Sequence, residues 1–84
     1  MILRGRREQR EAKAMVYVIS VEPIAAGWAV RQSAVANPQL FVSGAKAEDA
    51  ARRLGERLSF AGQAAEIRVY TRDGALAGRF VCLT

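Results

Sequence analysis

Arginine is the residue type through which this sequence could act. Its planar guanidinium is permanently charged, forks onto carboxylates and phosphates, and stacks on aromatic rings. Two sets stand out. Arg4, Arg6, Arg7 and Arg10 crowd the start of the chain together with Lys13. Arg31, Arg68 and Arg79 are far apart, yet with Tyr70 each falls on the polar phase of an alternating apolar and polar run. Alternation turns successive side chains to opposite faces of a strand, so the three arginines and the ring are expected on one sheet face. Such a face resembles the stacking platforms that bind single-stranded nucleic acid. It would serve equally as a solvated surface, or as the interface of a homodimer or with another protein partner. Glu66 shares the face and weakens its field.

Other chemistry is poorly supplied. The chain has no histidine and one cysteine, Cys82. Cys/His zinc sites and Ser-His or Cys-His nucleophile pairs therefore cannot be assembled within one chain. Cys82, between Val81 and Leu83, reads as a small buried apolar residue. Glu48 and Asp49 are neighbours, and neighbouring helix positions diverge by about 100°, so they read as solvated acids rather than a catalytic pair. The glycines of "GALAG" precede no helix, unlike those of a phosphate-binding loop. The sequence thus predicts no enzyme, no metal and no cofactor.

Charge is unevenly spread. Of 13 basic and 8 acidic residues, residues 1–14 hold five bases against Glu8 and Glu11, leaving a body that is only mildly basic. The case for a polyanion partner rests mostly on this arm. "REQREAKAM" permits a helix but has no apolar stripe to bury. Residues 1–14 are expected to be a disordered or loosely helical extension, or leader ahead of a start at Met15. A phosphate-neutralising arm is the alternative. The lone cysteine suits a reducing cytoplasm. No apolar run approaches the ~18–20 residues of a membrane span, and charge comes after the basic start where a secretory signal would be apolar.

Residues 15–84 must supply the scaffold, and 84 residues in all leave room for one small domain. "VYVISV" (Val16 to Val21) is β-branched and aromatic, and Pro23 and Gly27 punctuate the residues after it. "WAVRQS" and "QLFV" read as second and third strands, separated by a turn at Pro38. After Ser43 the period becomes helical: Ala47, Ala50, Ala51, Leu54, Leu58 and Ala61 make one apolar stripe, predicting a helix over roughly Lys46 to Phe60. Glu48 with Arg52 and Asp49 with Arg53 are i,i+4 pairs of favourable order. Ser43 suits the N-cap and Gly62 the C′ position. Gly55 falls inside the helix, where it would let helix and sheet approach closely. "AEIRVYTRDGALAGRFVCL" reads as a hairpin turning at Arg72 to Gly74.

The order is β-β-β-α-β-β: an α+β fold with one helix packed on one face of an antiparallel sheet. The expected core is Trp28, Val30, Ile67, Val69, Leu76 and Phe80 beneath Ala47, Ala51, Leu54 and Leu58.

"GWAV", "AKAEDAARRLGERL" and "VYTRDGALAGRF", in this order, resemble a family of short bacterial proteins of unknown function. The resemblance falls on Gly27, Trp28 and Val30, on Ala47, Glu48 and Ala50, and on Asp73 and Gly74. It covers roughly residues 15–82. It implies the strand, helix and hairpin order and carries no activity with it.

Overall fold

The computed structural model describes residues 16–33 and 35–83. The basic arm, with Arg4, Arg6, Arg7 and Arg10, lies outside them. Within the described residues, five strands and one helix adopt the expected order: β1 (Tyr17–Ile24), β2 (Gly27–Gln32), β3 (Gln39–Phe41), α1 (Gly44–Phe60), β4 (Ala65–Tyr70) and β5 (Leu76–Cys82). Among the described residues, no helix is long and apolar enough to cross a membrane.

The strands lie in one sheet in the order β3-β2-β1-β4-β5. Three junctions are antiparallel and the central one, β1 with β4, is parallel. The sheet is therefore mixed where a wholly antiparallel one was expected. The reason is topological. Three strands joined by turns leave β3 running with β1, and α1 then crosses the sheet and returns the chain to β1's free edge. A crossover connection of that kind delivers a parallel neighbour.

β1 runs straight through Pro23, where the residue type alone predicts a break. Its parallel ladder with β4 is registered from Tyr17↔Ala65 to Val21↔Val69, so Pro23 lies past the last of those pairs and opposite Trp28 of β2. A residue without a backbone donor is tolerated at such a margin. Being central, β1 also supplies core residues absent from the expected set. Ile19 and Val21 are fully buried with Val30, Ala65 and Ile67.

The helix starts at a Ser43 N-cap whose hydroxyl accepts from the Lys46 amide at 3.0 Å. It ends in a Schellman motif. The Gly62 amide donates to the Ser59 carbonyl at 3.0 Å and the Gln63 amide to that of Leu58 at 2.8 Å, with Gly62 at φ 90°, where a Cβ would be strained. The face that meets the sheet is narrower than the sequence stripe. Its buried row is Ala47, Ala51 and Gly55, and Leu54 and Leu58 flank it half-buried. A Cβ on Gly55 would sit 2.9 Å from Cys82 Sγ and 3.1 Å from Ile67 Cδ1. The expected close approach is present there.

Leu76 is not in the core. The β4–β5 ladder slips between Val69 and Tyr70, with Val69 opposite Gly78 and Tyr70 opposite Leu76. The extra residue is a β-bulge, which reverses the phase of everything beyond it. Leu76 consequently joins Tyr70 on the uncovered face, 52% exposed. Trp28, Val69, Phe80 and Cys82 pack against the core half-buried.

Thermal melts test this packing. Ile67→Ala should cost about 2–5 kcal/mol, and Leu54→Ala clearly less, because only Ile67 is wholly enclosed. Gly55→Val should cost about 1–3 kcal/mol by overpacking. A Gly55→Val protein that melts with the parent would show that the helix has room to lift.

Candidate binding surface

Strand parity assigns one side of the sheet to α1 and leaves the other uncovered among the described residues. Tyr17, Ile19, Val21, Trp28, Val30, Ala65, Ile67, Val69 and Phe80 take the helix side and form the core with it. The opposite side carries all four body residues singled out from the sequence. Its middle row runs Arg31, Ser20, Arg68, Arg79 across β2, β1, β4 and β5, through the pairings Ser20↔Arg31, Ser20↔Arg68 and Arg68↔Arg79. Tyr70 stands two residues beyond Arg68, opposite Leu76.

The arginines are not free. Arg31 Nε donates to Glu22 Oε1 at 3.1 Å. Arg68 Nε and Arg79 Nε both reach Glu66 Oε2, at 2.8 and 2.9 Å. The Glu66 side chain is 14% exposed, against 41% for Arg68 and 60% for Arg79. The hydrogen bond from Arg68, with Arg68 and Arg79 charges behind it, holds the Glu66 carboxyl below its ordinary pKa despite partial desolvation. Reciprocally, the hydrogen bond to Glu66 raises the Arg68 guanidinium. Three cations on this row thus share two carboxylates.

Glu22 is a partner that the sequence pattern does not reveal. Finding it requires β1 to continue past Pro23, which brings Glu22 opposite Ala29, on the same face as Arg31. Exposed apolar side chains also border the ion pairs. Leu40 of β3 is 66% exposed, and Leu76 and Val81 of β5 are 52% and 51% exposed. Parity places all three on the uncovered side, since Leu40 pairs with Ala29 and Val81 with Glu66.

Two further arginines lie over rings on the helix side. Arg52 sits 4.0 Å from the Phe80 centroid and is also paired to Glu48 at 3.0 Å. Arg72, from the β4–β5 turn, lies 5.5 Å from the Trp28 centroid. In that turn Thr71 donates to Asp73, which lowers the Asp73 pKa together with backbone hydrogen bonds. Among the described residues, no group of three or more histidine, cysteine or acidic side chains is placed to hold a metal ion.

No family model matches the chain, and no curated protein or solved structure matches it at a significant level.

The shared carboxylate makes a pH prediction. A lowered folded-state pKa means that ionised Glu66 contributes stability fully above its unfolded midpoint, and that this is lost as pH falls through the folded one. Glu66→Gln should therefore melt below the parent at neutral pH, and the gap should close as pH drops from the ordinary 4.5 of a glutamate downward. A gap that stays constant into acid would mean the two arginines gain nothing from this carboxylate.

Proposed function

We propose that the chain is a small non-catalytic binding domain whose uncovered sheet face meets a second copy of the same chain. The observation that carries this reading is the company the arginines keep. Glu22 and Glu66 hold all three of them, while Leu40, Leu76 and Val81 stand exposed around the pairs. Phosphates would have to displace these carboxylates and then lie beside them. A protein surface can instead bury these apolar side chains while the arginines stay neutralised by the carboxylates they already hold. A face that carries both signs of charge and apolar groups can also be its own complement, which a two-fold contact requires.

Nucleic-acid binding is the second reading, and one observation favours it. Arg68 and Arg79 share a single carboxylate, so the row keeps a surplus positive charge next to the Tyr70 ring. The basic arm would add to that field. The lone cysteine and the absence of histidine suit a binding role in a reducing compartment, the cytoplasm among them.

Light scattering on the full chain during size-exclusion chromatography separates the readings. The expected result is a mass that rises toward two chains with concentration and is unaffected by nuclease. Val81→Glu and Leu76→Glu should each hold the protein monomeric at an unchanged melting temperature. A mass of one chain at every concentration would remove the dimer. Nucleic-acid binding would take its place if affinity for an oligothymidylate fell steeply with salt and was lost in Arg79→Glu.

A further inference from the structure

The opposite flank of the molecule has a groove of different character. β3 is the terminal strand, with only one neighbour in the sheet, β2. Between β3 and α1 lies a groove of about 400 Å³ lined by Gln39, Phe41, Lys46, Asp49, Ala50, Arg53 and Arg57. Lys46, Ala50, Arg53 and Arg57 succeed one another at spacings of four, three and four, so α1 turns a single stripe of three cations toward the strand. Asp49 is the one acid in that lining. It pairs with Arg53 at 3.1 Å, and both side chains are largely solvated, Arg53 at 72% and Asp49 at 60% exposure. Lys46 and Arg57 make no ion pair among the described residues. Cations outnumber carboxylates three to one here, against three to two on the uncovered face.

An edge strand offers unpaired backbone donors and acceptors to an incoming chain. A strand added at β3 would run alongside α1, with its side chains on the helix side set against Lys46, Arg53 and Arg57 and the Phe41 ring. Main-chain pairing of this kind provides affinity, and the flanking side chains provide selectivity. The charge decides the selectivity. A second copy presenting the same groove would set cations against cations, and residues 1–14 are themselves net basic. We infer that the groove between β3 and α1 docks an extended acidic segment of another protein, which adds to β3 as a sixth strand and lays its carboxylates on Lys46, Arg53 and Arg57.

A short acetylated peptide alternating glutamate and valine is the probe, read by fluorescence anisotropy against the full chain at low and moderate salt. Saturable binding is expected, together with slower hydrogen exchange of the Leu40 amide, which points away from β2, in the complex. Arg57→Glu and Lys46→Glu should each weaken it at least about tenfold, as for close charge pairs across an interface. Both residues are exposed, so the melting temperature should hold. Val81→Glu, on the other side of the sheet, should bind normally, which separates this groove from the proposed dimer face. Equal binding of a lysine–valine peptide would overturn the inference. So would binding without added protection at β3, or preferential capture of an oligothymidylate through the same cations, which would make the groove a polyanion site.

Discussion

The closeness of α1 to the sheet governs most of what this molecule can be. Among the described residues one helix is the only layer that covers the five strands, and it meets them through Ala47, Ala51 and Gly55 rather than through its leucines. Small residues let the helix backbone settle onto Ile67 and Cys82, so that Ile19, Val21, Val30 and Ile67 are enclosed completely. Larger residues in that row would lift the helix and open the core along its whole length. The leucines then act as flanking seals, filling the angles between a cylinder and a twisted sheet.

Among the described residues nothing covers the far side of the sheet, and that side carries paired charges. Glu66 is placed between Arg68 on its own strand and Arg79 on the next, while Glu22 and Arg31 do the same across β1 and β2. Individually such exposed pairs add little to stability. Each of the three arginines nonetheless has a carboxylate partner in place. The α1 stripe facing β3 differs in this respect, with three cations and one acid. The molecule therefore presents two surfaces of distinct electrostatic character, one nearly balanced and one basic, on elements that the core holds rigidly.

The parallel pairing of β1 and β4 ties these surfaces together. It places β1 and β4, which carry the fully buried Ile19, Val21 and Ile67, side by side under the helix. It also sends β3 and β5 to the two margins. The edge with the shortest strand is the one next to the basic stripe, and the edge with the bulge carries Leu76 and Val81.

Much of this was legible in the chain itself. The switch of apolar period from two to 3.6 and back located every element. Ser43 and Gly62 marked the ends of the helix, because capping is decided by side chains within a few residues of the terminus. Strand parity alone also put Arg31, Arg68, Tyr70 and Arg79 on one face. What it could not decide was whatever depended on residues brought together from a distance. Whether β4 returns parallel to β1 is set by where the crossover lands, not by local composition. The bulge that moved Leu76 out of the core depends on the register of one strand against another. Ile19 and Val21 became the centre of the core only because β1 became the central strand. The pairing that changed the meaning of the arginines joins Glu22 to Arg31 and Glu66 to Arg79, contacts across strands that exist only once the sheet has formed. Periodicity records which way a side chain points, and tertiary structure alone determines what it meets there.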